Sequence, residues 1–257
     1  MKRILTILFL VVATTTAMNE MHVYQDDGQT TVFKIAKIDS IKFADIRFHD
    51  PFDEDMRESW WVLQPNAVPG TIADGQLQLP GHERGTSEPC TEVLRMIDTS
   101  IISLSHGDYT IETRIKMTGN ATDFGAYGLI GIVFRNQSPD PSNWLKDSYQ
   151  FGWDGNGNSN RWFLQQRRDG AGWSNMKPPS GTAPMEYGEW FKLRVVVQGA
   201  SIECSVDLED GEGWQLVFEH SIDQDDHPVY EGTVGLWSGW NYTPQSQYVD
   251  YFKVDLQ

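Results

Sequence analysis

Three acidic residues stand on stretches with strand character: Glu92 in 91–97, Glu112 in 109–117, and Asp154 at the head of a glycine- and asparagine-rich turn. Hydrolysis of a glycosidic bond asks for two carboxylates flanking it, about 5–5.5 Å apart for retention and about 6.5–9.5 Å apart for inversion. Glu88 and Glu92 would share one face of an unbroken strand. Four residues of strand rise would separate them by about 13 Å, too far for such a pair. A catalytic pair therefore has to be assembled from different strands, with Asp154, Glu92 and Glu112 as the candidates.

Around Asp154 the residue types favour ligand contact. The stretch 148–173, SYQFGWDGNGNSNRWFLQQRRDGAGW, reads as a strand, a turn and a returning strand. Tyr149, Phe151 and Trp153 alternate with Gln150, Gly152 and Asp154, the period of a half-buried strand. An indole offers a large flat surface to the apolar C–H face of a sugar ring, while amide, carboxylate and guanidinium groups orient its hydroxyls. Trp144, Tyr149, Trp153, Trp162, Trp173 and Trp240, with Arg135, Gln165 and Arg167, make up such a set. The same residue types equally furnish an ordinary β core, and Trp61 and Trp190 read as core.

Metal chemistry finds weaker footing. Asp154, Asn156, Asn158 and Asn160 imitate the alternating ligands of an EF-hand loop. Ser159 occupies the glycine position and Gln165 the place of the bidentate glutamate, so the match fails twice. The sequence contains no HExxH, GxSxG, P-loop or GxGxxG string, and no Cys/His cluster for structural zinc.

The elements that must position these residues are strands. Candidates follow one another at short intervals from residue 75 to residue 256, punctuated by Pro, Gly, Asn and Asp, with no convincing long helix. In 191–197, Phe191, Leu193, Val195 and Val197 alternate with Lys192, Arg194 and Val196. About eleven strands at this spacing predict an all-β chain folded as a two-sheet antiparallel jelly-roll sandwich. Ahead of it, residues 1–17 (a basic start, a short apolar run and small residues) predict a secretory signal peptide. Residues 18–43 form a short β prefix, and 44–257 the main domain. Without Lys2 and Arg3 there are 18 basic against 36 acidic residues, a net charge of about −18. Such a surface repels phosphate backbones and anionic lipid, so nucleic acid is not an expected partner. No segment is apolar enough for membrane insertion, and the signal peptide predicts a secreted or periplasmic protein. Cys90 and Cys204 could form a disulfide in that compartment, or Cys204 could be a buried free thiol.

The order of motifs resembles the concanavalin A-like lectin/glucanase superfamily. The matching stretches are FDEDMRESWWV, DYTIETRIKM, YGLIGIVFRN, YQFGWDGNG with RWFLQQRRDGAGW, GEWFKLRVVVQGASIECSVDLEDG, GTVGLWSG and YVDYFKVDL. The resemblance covers residues 50 to 257 and implies a laminin G-like jelly roll. The fold hosts lectins, enzymes and interaction modules alike. The glucanase string Glu-x-Asp-x-x-Glu is missing. A more distant similarity to keto-disaccharide hydrolase-like domains suits Arg135 at a strand end. Of that family's Glu-x-Gln-x-x-Asp string only Asp154 is present, with Tyr149 and Phe151 at the first two places. The superfamily also implies one structural calcium, held here by Asp250 with Asp53 or its neighbours. The leading expectation is an exported protein that binds an oligo- or polysaccharide on the concave sheet and its loops. A glycoside hydrolase with an atypical acid pair is the alternative, and a sugar-independent interaction module the third reading.

Overall fold

The computed structural model describes residues 20–24, 30–34, 47–52, 61–63, 70–80, 93–97, 108–118, 129–137, 147–156, 159–168, 172–176, 186–239 and 246–256. The chain divides into two compact units, 1–44 and 45–257. The first contains an antiparallel hairpin of β1 (Glu20–Tyr24) and β2 (Thr30–Lys34), with His22 opposite Val32.

In the second unit the strands run in chain order as β3 (Arg47–Asp50), β4 (Trp61–Leu63), β5 (Thr71–Ala73), β6 (Gln76–Pro80), β7 (Val93–Ile97) and β8 (Tyr109–Thr118). There follow β9 (Leu129–Asn136), β10 (Ser148–Asn156), β11 (Ser159–Arg168), β12 (Gly172–Asn175) and β13 (Trp190–Gln198). The last four are β14 (Ser201–Asp207), β15 (Gln215–Ser221), β16 (Thr233–Gly239) and β17 (Ser246–Leu256). They form two antiparallel sheets. A seven-stranded sheet has the order β12-β11-β10-β9-β16-β7-β4, and an eight-stranded sheet the order β15-β14-β13-β8-β17-β6-β5, with β3 also paired to β17. Neighbours far apart in sequence, such as β8 beside β17 and β9 beside β16, are what a jelly roll requires, and the fold is the all-β sandwich expected.

Alternation builds the core. In β8 every odd residue from Tyr109 to Met117 is buried and every even one half-buried, and β13 repeats the pattern through Phe191, Leu193, Val195 and Val197. The seven-stranded sheet answers with Ile130, Ile132, Phe134, Tyr149, Phe151, Trp153, Trp162 and Leu164. Rings from the two sheets meet edge to face, Phe151 on Phe218 at 6.1 Å and Trp162 on Phe191 at 5.6 Å, a favoured geometry for aromatic pairs. Asp74 and Gly75 both take positive φ, 53° and 70°, between the paired residues Ala73 and Gln76. That is the two-residue hairpin loop for which Asp-Gly is suited. Polar stitches cross between the sheets as well. Gln247 of β17 accepts from Ser238 of β16 and donates to the Leu129 carbonyl at 3.1 Å.

Cys204 faces this core as a free thiol, and burial pushes its pKa well up. Its expected alternative, a bond to Cys90, is thereby set aside, with Cys90 itself outside the described residues. The expected signal peptide also lies outside them. Among the described residues no helix is long and apolar enough to cross a membrane.

Candidate functional site

Each strand of the seven-stranded sheet has a second face, turned away from the core. On β10 the inward residues are Tyr149, Phe151 and Trp153, so Ser148, Gln150, Gly152 and Asp154 face outward. The register carries this face across the sheet. Gln150 pairs with Val133 of β9 and Gln165 of β11, and Gly152 with Gly131 and Phe163. Gly131 in turn pairs with Trp237 of β16, and Asp154 with Leu129 and Arg161. Val133, Phe163 and Trp237, with Leu129 against them, form an apolar cluster separate from the main core.

The glycine pair shapes this face. A Cβ on Gly131 would lie 2.3 Å from the Phe151 carbonyl oxygen, and one on Gly152 would lie 2.3 Å from that of Ile130. Neither position admits a side chain, which leaves a bare strip of backbone between β16 and β11. Strand spacing puts those two strands about 14 Å apart. Yet the rings of Phe163 and Trp237 meet across the strip with centroids 5.9 Å apart at 86°. Beside them the Asp154 carboxylate accepts from Arg161 Nε at 2.9 Å and Nη2 at 2.8 Å. Gln165 donates to Asn175 Oδ1 at 2.9 Å. The face thus combines two buried aromatic rings, an ion-paired carboxylate and amides, with Asp154 its only carboxylate among the described residues.

Several expected site residues lie elsewhere, for identifiable reasons. Tyr149, Trp153 and Trp162 are buried between the sheets and cannot contact a ligand on the outward face, because strand alternation turns them inward. Trp153 packs on Tyr187 and Phe191. The hydroxyl of Tyr149 donates to Asp225 at 2.5 Å, Gln166 donates to Tyr149 at 3.3 Å, and His220 shares Asp225 at 2.9 Å. Burial first, then the Asp225 bond, holds the Tyr149 phenol protonated far above its ordinary range. Arg135 takes a positive φ of 53°, so its buried guanidinium donates to the Val229 and Gly199 carbonyls at 3.1 and 2.5 Å, a brace between chain segments. Trp190 is half-buried rather than core, with Arg114 and Lys116 each 4.5 Å from its ring.

Glu112 is on the outward face of the other sheet, bound by Arg194 at 2.9 Å and the Tyr251 hydroxyl at 2.6 Å. The whole core separates it from Asp154, so the two do not form a pair. Asp250 receives Arg114 Nη1 at 3.1 Å. The described residues contain no group of three His, Cys, Asp or Glu placed to hold a metal. The expected calcium partner of Asp250, Asp53, lies outside the described residues. Gln165 and Arg167 do lie on the outward face, and Trp173 pairs in register with Arg167 on the edge strand β12. Glu92, Trp144, Trp240 and Asp53 fall outside the described residues.

Residue-by-residue reading missed Gln150, Phe163 and the Gly131–Gly152 pair. For Gln150 the signal was present, since it shares the parity of Asp154. Phe163 was hidden inside the apolar run Trp162–Phe163–Leu164, where parity alone does not say which face is covered. At the far end of strands β9 to β11 lies a separate open cleft of about 520 Å³, lined by Gln137, Asp147, Arg168, Asp226, His227, Pro228 and Val229.

No curated protein matches the sequence. Among solved structures, the chain is similar to the calcium-bound exoplasmic/lumenal domain of VIP36, with a TM-score of 0.56 at 12% identity, covering 82% of this chain and 90% of that one. It is also similar to a GH43 protein, BlXynB, from Bacillus licheniformis, with a TM-score of 0.56 at 13% identity. A xylan beta-1,4-xylosidase from Bacillus halodurans gives 0.55 at 17% identity. Each alignment covers 92% of this chain but only 46% of the bacterial protein, so the chain spans about half their length. At these identities the likeness is one of fold. The sequence profile of the 3-keto-alpha-glucoside-1,2-lyase-like domain matches residues 48–242, well over half of the chain, and the protein belongs to that family.

Proposed function

We propose that the protein binds a saccharide on the outward face of the seven-stranded sheet. The observation that carries this reading is the part-exposed row of Arg161, Gln165 and Arg167 beside the Asp154 carboxylate, on a face floored by the buried rings of Phe163 and Trp237. Such charged and amide groups orient the hydroxyls of a sugar ring. Family membership supports a saccharide as the ligand class, and so do the Man2-bound form of the VIP36 domain and the xylan beta-1,4-xylosidase, which are similar in fold. Export through residues 1–17 remains part of the proposal, as does an oligo- or polysaccharide partner.

A second reading is favoured by Asp154 and by the family name. In a 3-keto-alpha-glucoside the C3 carbonyl acidifies the hydrogen on C2. Elimination removes that proton to a base, forms the C1–C2 double bond with the released electron pair, and breaks the C1–O bond. The departing oxygen takes a proton from solvent. One base suffices, whereas hydrolysis with two flanking carboxylates would need a second acid on this face. In this reading Asp154 is the base, positioned by Arg161.

Calorimetric titration with trehalose, maltose and sucrose and their 3-keto forms tests both readings when combined with chromatography of the products. We expect saturable binding, and for the lyase an unsaturated 3-keto product that Asp154→Asn abolishes while binding persists. Absence of binding to every one of these sugars would sink the proposal.

A further inference from the structure

Among the described residues three glutamines are almost wholly buried, and their amides fare differently. Gln247 uses both ends, accepting from Ser238 and donating to the Leu129 carbonyl. Gln166 donates to the His227 carbonyl at 2.6 Å and to the Tyr149 hydroxyl at 3.3 Å. Gln150 is 0% exposed, and neither its Oε1 nor its Nε2 finds a hydrogen-bond partner among the described residues. Two residues back on the same face, the buried Ser148 hydroxyl is also unpartnered. Native interiors satisfy the great majority of buried polar groups, and an exception asks for a reason such as an absent ligand or a bound water.

The surroundings of Gln150 distinguish between these reasons. Its register neighbours are the apolar Val133 and the Gln165 amide, whose Nε2 is already committed to Asn175. Phe163 and Trp237 close over the glycine strip one residue pair along, and Asp154 lies four residues further on the same strand face. A structural water needs two to four polar partners to be held. Val133 and Phe163 supply none, so a water there would rest on the Gln150 amide and the Ser148 hydroxyl. A sugar ring supplies what the site lacks, because two hydroxyls on adjacent carbons present a donor and an acceptor at the spacing of an amide.

We infer that the Gln150 carboxamide is the specificity-determining group of this face, accepting from one hydroxyl and donating to its neighbour on an uncharged sugar ring. The inference rests on the proposed saccharide site and names what that site selects. An amide answers a donor–acceptor pair, so an uncharged ring with adjacent free oxygens is preferred over a uronate. A keto oxygen beside a hydroxyl satisfies the same pair, with Nε2 donating to the carbonyl. A site built around a buried polar group rejects analogues that leave that group unpaired.

Gln150→Met keeps the volume and removes both polar atoms, and its test pairs calorimetry with urea unfolding. The probes are methyl α-glucoside, its 3-keto form and its monodeoxy series. The expected result is a Kd raised at least about tenfold, with an unfolding midpoint unchanged or higher, because an unsatisfied amide has been removed from the interior. On the wild-type protein, deoxygenation at two adjacent carbons should each weaken binding about tenfold, and in the variant neither should matter further. A variant that binds as tightly as the wild type overturns this inference and leaves the saccharide site standing. A markedly lower midpoint overturns it too, since it would show an amide serving the fold. Monodeoxy sugars that all bind the wild type equally overturn it without any variant. Failure of the wild type to bind any of the probes removes both the inference and the saccharide site.

Discussion

The two outward faces of the sandwich follow the same alternation and solve the problem of polar groups in opposite ways. On the eight-stranded sheet the outward charges meet partners on neighbouring strands or in the turn after β14. Glu112 lies between Arg194 and Tyr251, and Arg114 grips both oxygens of Glu209 at 2.8 Å and also reaches Asp250. Lys192 bridges Asp207 and Glu209, while Arg194 covers the ring of Trp214 at 3.7 Å. An irregularity between Val249 and Tyr251 sets Asp250 and Tyr251 side by side, so consecutive residues join the same lattice. Such a surface largely completes itself, although Arg194 Nε is left without a hydrogen bond. On the seven-stranded sheet the outward residues Val133, Phe163 and Trp237 are buried, the strip between them carries no side chains, and an amide and a hydroxyl are left without partners. Groups that a fold leaves unsatisfied at a cost are the ones available to a ligand. The contrast explains why a face rich in charge and aromatics, which composition would favour as a binding surface, is the weaker candidate.

The largest expected effect tests whether the outward apolar cluster is packed as tightly as a core. Trp237→Ala should cost about 3–5 kcal/mol in urea unfolding, the range for a buried aromatic, because Phe163 and Leu129 lose their contact surface. A loss within about 0.5 kcal/mol, typical of a surface position, would erase the difference between the two faces. Gly152→Ala comes next. Its Cβ would overlap the Ile130 carbonyl on β9, and the two strands would have to part, at about 1–3 kcal/mol. Sugar binding should fall with it, since the strip beneath the rings is what the substitution fills.

Much of the sandwich was legible because alternation is a local property. The period of Phe191 to Val197 and of Tyr109 to Met117 set strand type and inward face together, and Cys204 fell on the inward side by the same parity. The candidate site was less legible, since it depends on facts that parity does not contain. Phe163 and Trp237 are 74 positions apart and meet only because β10 and β9 between them carry glycines at matching register. Arg135 departs from parity through its positive φ, which sends a residue expected on the ligand face into a brace between segments. By residue type alone the tryptophans suit a ligand face and a core equally. For Trp153 and Trp162, which are register partners across β10 and β11, burial of apolar area between the sheets prevailed.

On the eight-stranded sheet the expected effects are small. Arg114→Ala removes a bidentate pair, a second carboxylate contact and the cation over Trp190, and should cost about 1 kcal/mol, as part-exposed ion pairs do. Smaller still is Glu209→Gln, whose value lies in its pH dependence. The hydrogen bond from Arg114, foremost, holds the Glu209 carboxyl below its ordinary value of 4.5. A carboxylate depressed in the folded state contributes stability above that ordinary value and loses it as pH falls through the folded one. Urea unfolding should therefore show wild type above the variant by a few tenths of a kcal/mol at pH 7. The two should converge as pH falls from about 5 to about 3. A difference that persists unchanged at low pH would mean that the lattice is held by packing and not by charge. The same measurement on Gln150→Met should show no convergence, because a carboxamide does not titrate in this range. Together the two titrations separate a face held by charges that satisfy one another from a face whose polar group has no partner in the fold.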